Sequence, residues 1–286
     1  MSPHGTGDFP EVPAMNEGDP ASDDLPGRPG VGGLVNDLPT RPDTSEQRRS
    51  ELAESLRKVR ERLDRACRAA GRRPDEVELL AVTKTFPASD VALLADLGLV
   101  EFAENREQEA RVKVAEFAAL RPDARVRWHM VGQLQRNKAR AVVRWADVVE
   151  SVDSERLVEA LRRATANALD AGDRKHPLDV LVQVSLDEAE GRGGCRPDEV
   201  PKLADMIMRT SDLRLRGVMA VAPLGGDPDV AFDTLSVISA RLRRDHPEAV
   251  DVSAGMSGDL ESAVAHGSTR VRVGTALLGG RRLTSP

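Results

Sequence analysis

The chain has 286 residues, with 41 Lys or Arg against 47 Asp or Glu and a formal net charge of −6. This length allows one large α/β barrel or two ordinary domains, and the lack of a basic excess argues against nucleic acid as a partner. No apolar stretch is long enough to span a bilayer, and two cysteines cannot form a disulfide framework. We therefore expect a cytoplasmic protein with no membrane partner. The five histidines are scattered, so we expect no metal site.

Residues 1–43 differ in composition from the rest of the chain. They contain 8 of the 18 prolines and 7 of the 23 glycines, and they carry eight acidic residues against Arg28 and Arg41. This segment accounts for the whole formal negative charge. It has too few large apolar residues to offset the entropy lost on ordering. We therefore predict a disordered acidic tail over residues 1–43.

The first predicted element is a helix over residues 45–71. Its apolar residues recur at spacings of three and four, namely Leu52, Leu56, Val59, Leu63 and Cys67, and Gly71 ends it. Eight strand-like apolar runs follow, at residues 77–84, 100–105, 125–132, 147–153, 178–187, 213–222, 250–257 and 269–277. Helix-forming stretches separate most neighbouring runs, for example at residues 88–98, 154–172 and 197–210.

Eight strands that alternate with helices predict parallel β-α-β units, and eight is the number that closes a barrel. The competing architecture is an open doubly wound sheet, which often carries a G-x-G-x-x-G turn after its first strand. Here that turn reads KTFPAS. We therefore predict an α/β protein: a single (β/α)8 TIM barrel over residues 44–282 with an extra N-terminal helix. A short C-terminal tail over residues 283–286 follows.

Lys84 is the first candidate for chemistry, because it ends the apolar run that begins at Val77. The amine of a desolvated lysine can lose its proton and condense with an aldehyde. The alternative is a lysine that ends a strand and extends its charge to water. In a barrel of this type, functional side chains project from the carboxyl ends of the strands, where Lys84 is expected.

The ends of the seventh and eighth strands have the composition of an anion site. The seventh ends in Ser253-Ala254-Gly255-Met256-Ser257-Gly258, where Ser257 is expected to cap the next helix, and the eighth ends in Gly274-Thr275. Each segment alone could simply form a tight turn, but phosphate commonly binds after these two strands. Arg272 points inward and needs a partner, either a ligand or a carboxylate. An aldehyde, a ring nitrogen and a phosphate occur together in pyridoxal 5′-phosphate.

Several segments, taken in order, resemble a known family. LLAVTKTFP, AENREQE, WHMVGQLQRNKAR and SAGMSGDLESAVAHG are similar to segments of the pyridoxal phosphate homeostasis proteins. These proteins resemble the N-terminal barrel of alanine racemase, a fold-type III pyridoxal phosphate protein, and the likeness covers about residues 45–282. Three positions depart from the family's usual pattern, namely Ala103, Arg106 and Ala254. These departures affect the packing beside the pyridine ring of the ligand and leave the residues expected to anchor that ligand unchanged.

The resemblance implies a role for eight residues. Lys84 would form the internal aldimine with pyridoxal 5′-phosphate, Asn105 would lie beside the cofactor, and Arg272 would face its pyridine nitrogen. A cation at that nitrogen disfavours its protonation and weakens the ring as an electron sink. The residues implied around the phosphate are Ser253, Met256, Ser257, Gly274 and Thr275.

The same resemblance leaves a choice between an enzyme and a carrier. A racemase of this fold needs two bases, and its second base is a tyrosine, yet the chain contains none. His129 and Cys195 are the remaining candidates for the second base, and we expect neither to take that role. We therefore expect no catalytic residues. We expect a protein that holds pyridoxal phosphate for intracellular vitamin B6 homeostasis, and its expected partners are apoenzymes that receive the cofactor from it. The alternatives are an amino-acid racemase or related enzyme, and a cofactor-free Schiff-base aldolase.

Overall fold

The computed structural model describes residues 44–187 and 193–280. Eight parallel strands, numbered β1 to β8 in chain order, form one closed barrel in which each strand pairs with its neighbours in sequence and β8 pairs with β1. The strands are Glu78–Val82, Glu101–Glu104, Arg127–Met130, Val148–Val152, Leu178–Val184, Leu213–Ala220, Asp251–Ser253 and Arg270–Val273. All eight lie inside the predicted runs, which confirms the predicted (β/α)8 barrel.

Helices cover the outside of this barrel. In chain order α1 to α9 are Thr44–Ala69, Ala88–Asp96, Glu107–Leu120, Ala139–Val142, Glu155–Asp170, Val200–Met208, Pro228–Asp245, Leu260–Ala265 and Thr275–Leu278. None of the helices within the described ranges is long and apolar enough to cross a membrane. The tails predicted at 1–43 and 283–286 lie outside the described residues, so those boundaries stay predictions.

The extra N-terminal helix is present as α1, and it packs against the barrel's outer ring. Its predicted apolar residues are buried, and Gly71 has a φ of +67°, which favours glycine after a helix. Arg48 joins this helix to two other elements: its Nη2 lies 2.7 Å from Oδ2 of Asp90 on α2 and 3.0 Å from the carbonyl oxygen of Leu278 on α9. The helix therefore closes the ring beside the carboxyl ends of β1 and β8.

The barrel interior combines a small apolar cluster with a charged network. Val148, Leu181 and Met219 form the apolar cluster. Next to it lie ionisable side chains from β2, β3, β4 and β8, namely Glu101, His129, Glu150, Arg270 and Arg272, all of them buried. Bulky apolar residues usually fill such an interior. Buried charges are costly unless they are paired, so this network requires partners at every position.

Candidate functional site

A cavity opens at the carboxyl ends of the strands. It has a volume of about 590 Å³. Seven of the eight residues proposed from the sequence line it, although they come from four separate segments; they are Lys84, Asn105, Met256, Ser257, Arg272, Gly274 and Thr275. The eighth, Ser253, is not among its lining residues. The cavity therefore brings together almost the whole predicted set.

Lys84 lies two residues beyond the end of β1, in a tight turn. The N–H of Phe86 donates to the carbonyl oxygen of Thr83 at 3.1 Å and closes this turn around Lys84 and Thr85. Thr85 has a φ of +68°, an uncommon conformation for a β-branched residue. The Lys84 side chain is exposed and lines the cavity, so a ligand can reach its amine.

Asn105 directly follows β2 and lines the cavity. Its position depends on Gly132, which follows β3. A Cβ atom at position 132 would lie 2.1 Å from the carbonyl oxygen of Asn105 and 2.9 Å from its Oδ1. Only glycine allows this approach, and the close packing holds Asn105 at the cavity wall.

The loop after β7 is shaped by backbone constraints that the sequence only partly revealed. Gly255 has a φ of +90°, and a Cβ atom there would lie 2.5 Å from Cβ of Ala263. The expectation that Ser257 caps the following helix is wrong, since α8 begins at Leu260 and its N-cap residue is Asp259. The carboxylate of Asp259 instead accepts a hydrogen bond from the N–H of Met256 at 2.5 Å. Ser257 stays free to face the cavity.

Arg62 of α1 orients the peptide group between Ser257 and Gly258. Its Nη1 donates to the carbonyl oxygen of Ser257 at 2.7 Å, and its other nitrogens pair with Glu261 at 2.6 Å. In a trans peptide the N–H points opposite to the preceding carbonyl. The N–H of Gly258 is therefore directed away from Arg62, and Gly258 itself lines the cavity.

The end of β8 supplies a second set of amides. Helix α9 begins at Thr275, directly after its N-cap residue Gly274. The first N–H groups of a helix have no partner within the helix, and both Thr275 and Ala276 are exposed. A Cβ atom at Gly274 would lie 3.2 Å from the carbonyl oxygen of Val82, a tight contact. The two loops after β7 and β8 thus present amides to one cavity.

Arg272 lies at the base of the cavity, and its hydrogen-bond partners within the protein are neutral oxygens rather than the carboxylate that was one of the two expectations. Its Nη1 donates to the backbone oxygen of Ser253 at 2.7 Å and to its Oγ at 2.8 Å, while Nη2 donates to the carbonyl oxygen of Ala220 at 2.7 Å. Burial lowers the pKa of this guanidinium. Neutral oxygens therefore hold Arg272 in place, and its charge remains available to a ligand.

Ser253 lies beneath the cavity rather than on its wall. Its side chain is fully buried, and its Oγ is 2.6 Å from Oε2 of Glu150. A carboxylate can only accept, so the Ser253 hydroxyl donates its proton to Glu150 and accepts from Arg272. The structure therefore gives Ser253 a supporting contact with Arg272, and the phosphate contact that the resemblance implies stays a prediction.

His129 is held by carboxylates on both ring nitrogens. Nδ1 lies 2.7 Å from Oε1 of Glu150, and Nε2 contacts Glu101. Burial favours the neutral imidazole, but the hydrogen bonds with Glu101 and Glu150 outweigh burial and raise the pKa of His129. Burial also opposes ionisation of Glu150, yet His129 and Arg270 lower the pKa of that carboxyl to about 2. His129 is thus a paired barrel residue.

Several cavity residues were not proposed from the sequence as ligand-binding. Arg106 and Glu109 line the cavity and form an ion pair at 3.0 Å; Arg106 directly follows Asn105, and Glu109 lies one helical turn further on. Proximity to Asn105 was the available signal for both. The remaining lining residues are mostly apolar and include Phe86, Val131, Met219 and Val221. Whether such an apolar residue faces the cavity depends on strand register, which composition does not reveal.

The residues present suit a phosphorylated aldehyde. The cavity contains the accessible amine of Lys84, the buried guanidinium of Arg272, and two loops whose backbone amides suit an anion. The rest of its wall is mostly apolar. Fold and site together define a ligand-binding barrel of the alanine racemase N-terminal-domain class. The sequence profile described as alanine racemase, N-terminal domain, matches residues 55–282.

Comparison with known proteins gives the family. The pyridoxal phosphate homeostasis protein of Mycobacterium tuberculosis H37Rv is 50% identical over 262 residues, which are 88% of this chain and 100% of that protein. PipY of Synechococcus elongatus, in a structure with PLP bound, is 33% identical with a TM-score of 0.66, over 80% of this chain and 100% of PipY. The chain belongs to the pyridoxal phosphate homeostasis protein family.

A more distant likeness concerns the fold alone. Alanine racemase from Corynebacterium glutamicum is 14% identical with a TM-score of 0.57, and the matched region covers 83% of this chain and 62% of the racemase chain. The barrel is therefore shared with an enzyme whose chain extends beyond it.

Proposed function

We propose that this protein binds pyridoxal 5′-phosphate in the barrel cavity and holds it covalently on Lys84 as part of vitamin B6 homeostasis. The observation that carries the proposal is that Lys84, both amide-bearing loops and Arg272 line one cavity. The names of the homologues and the PLP-bound structure of PipY support the same ligand.

The chemistry of attachment is a condensation. The neutral amine of Lys84 attacks the aldehyde carbon, a carbon–nitrogen double bond forms, and the aldehyde oxygen leaves as water. The backbone N–H groups of Gly258 and Thr275, with the Ser257 hydroxyl, hold the phosphate. Asn105 lies beside the ring. The reaction is reversible, so water that enters the exposed mouth at Lys84 releases the cargo.

Arg272 favours storage over catalysis. A guanidinium donates hydrogen bonds and keeps its proton under ordinary conditions, so it does not supply a proton to a ring nitrogen that faces it. An unprotonated ring withdraws electrons weakly, which limits reactions that pass through a carbanion. The surrounding oxygens of Ser253 and Ala220 keep the guanidinium in this orientation.

The candidate second bases also favour a carrier. His129 is fully buried with both nitrogens engaged by carboxylates. Cys195 is buried outside the cavity, and burial raises the pKa of its thiol to about 12. Glu109 lines the cavity but pairs with Arg106. We accordingly expect a cytoplasmic, non-catalytic protein that stores the reactive aldehyde and supplies it to apoenzymes.

The test begins with the visible absorption spectrum of the purified protein after incubation with pyridoxal phosphate. We expect a yellow protein that bleaches with borohydride and carries the reduced adduct on the peptide that contains Lys84. Lys84→Ala should lose the adduct and retain only weaker, phosphate-dependent binding. Lys58→Ala is the matched control, because Lys58 is exposed on α1 and pairs with Glu54.

Three results would redirect the proposal. An equally yellow Lys84→Ala variant with the adduct on another residue would contradict the attachment site. A protein that never takes up pyridoxal phosphate but is trapped by borohydride with a sugar phosphate would indicate the aldolase. Inversion of single amino-acid enantiomers by the loaded protein would indicate a racemase.

A further inference from the structure

A buried ion pair lies directly behind the two segments that carry Lys84 and Asn105. Nζ of Lys113, on α3, donates to Oε1 of Glu104 at 2.5 Å and to the backbone oxygen of Thr83 at 2.7 Å. The hydroxyl of Thr83 donates to the same Glu104 oxygen at 2.6 Å. Thr83 immediately precedes Lys84, and Glu104 immediately precedes Asn105.

This arrangement is costly for the fold. Within residues 44–187 and 193–280, Lys113 is the one buried lysine, and the Glu104 side chain is fully buried beside it. Oε2 of Glu104 has no hydrogen-bond partner among the described residues. Apolar side chains of similar volume often give equal or greater stability than a buried ion pair. Packing therefore does not by itself account for a charged lysine at this position.

The turn next to the ion pair is strained. Thr83 to Phe86 form a four-residue turn with Thr85 at its third position, where a positive φ suits glycine. Among the described residues other than glycine, Thr85 alone has a positive φ. Such a conformation persists only when the surrounding structure enforces it. The carbonyl oxygen of Thr83 accepts hydrogen bonds from both Phe86 and Lys113. These two bonds hold the turn in its strained conformation.

We propose that Lys113 is a positioning residue for Lys84: by holding the Thr83 carbonyl, it keeps the strained turn closed and aims the Lys84 amine into the cavity. This inference rests on the proposed attachment of pyridoxal phosphate to Lys84. Relaxation of Thr85 to a negative φ requires backbone rotation that includes Lys84. A charge-assisted hydrogen bond from a buried ammonium resists that rotation better than a bond to water would.

The inference separates attachment from binding. The hydrogen bonds of Lys113 go to Thr83 and Glu104, and none of them reaches the described loops after β7 and β8. Lys113→Met should therefore keep an affinity for inorganic phosphate close to that of the parent. Covalent attachment should slow by about 10–100-fold, the loss expected when a reacting group is misplaced by about 1 Å.

The experiment measures three quantities on Lys113→Met and on Lys113→Met/Glu104→Gln, which removes the unpaired buried carboxylate. These are phosphate binding by calorimetry, the rate at which the imine absorbance appears, and the unfolding midpoint. Adding Thr85→Gly to either variant should restore much of the rate, because glycine adopts a positive φ without strain. A purely structural role would not produce this recovery.

The outcomes distinguish the inference from the function beneath it. A parental protein that borohydride does not modify at Lys84 would overturn the proposed function and this inference together. A parent modified at Lys84, with Lys113→Met and the double variant reacting at the parental rate, would overturn the inference alone. So would a slowed rate that tracks the unfolding midpoint and does not respond to Thr85→Gly.

Discussion

Replacing Ser253 with alanine should weaken the fold more than it weakens ligand binding. The substitution removes the hydroxyl that donates to Oε2 of Glu150 at 2.6 Å and accepts from Arg272 at 2.8 Å. Arg272 keeps its bond to the backbone oxygen of residue 253, so the main loss is one buried hydrogen bond to a charged group. Such a bond contributes about 1.5–3 kcal/mol. For a domain of this size that loss lowers the melting temperature by about 3–12 °C.

The assay is thermal unfolding followed by the fluorescence of Trp128 and Trp145, together with titration by pyridoxal phosphate. Ser257→Ala is the matched control, because Ser257 lines the cavity and is only partly buried. That variant should unfold like the parent but bind the ligand more weakly. The reasoning would be refuted if Ser253→Ala unfolded at the parental midpoint while losing as much affinity as the Ser257 variant.

Three further predictions address the barrel, the phosphate loop and the turn after β7. The raised pKa of His129 means that its stabilising contribution is complete below pH 6.5 and is lost as the pH rises through the folded-state pKa. The free energy of unfolding should therefore fall with rising pH in the parent and less steeply in His129→Gln. Arg62→Ala should weaken pyridoxal phosphate binding, because the Ser257 carbonyl loses its donor. Gly255→Ala should destabilise the fold by more than about 2 kcal/mol, since φ strain adds to a 2.5 Å contact with the following helix.

Each of these predictions has a control and a contradicting result. Parallel pH–stability curves for the parent and His129→Gln would contradict the first. Arg57→Ala is the control for Arg62→Ala, because Arg57 pairs with Glu54 and Glu61 of its own helix. Equal affinities in all three proteins would contradict the second prediction. Gly267 shares the positive φ, but a Cβ atom there meets open space. Equal losses of stability in Gly255→Ala and Gly267→Ala would therefore show that the contact with Ala263 contributes nothing.

The sequence alone determined the architecture and the end of the barrel at which the candidate site is proposed. Alternating apolar runs and helices specify parallel strands, and the carboxyl ends of parallel strands meet at one edge of a barrel. Lys84 and Thr275 are almost two hundred positions apart, yet each follows a strand, so the sequence assigns both to the same end of the barrel. The same logic identified Asn105, Arg272 and the loop after β7.

The tertiary structure decided which side chains line the cavity and which lie behind it. Ser253 and Ser257 belong to one short segment, but the end of β7 directs the first into the barrel and leaves the second at the cavity wall. Glu150 meets Ser253 across 103 positions of sequence, and Lys113 meets Thr83 across 30. Contacts of this kind depend on strand register and on the height of each residue in the barrel, and periodicity along the chain specifies neither.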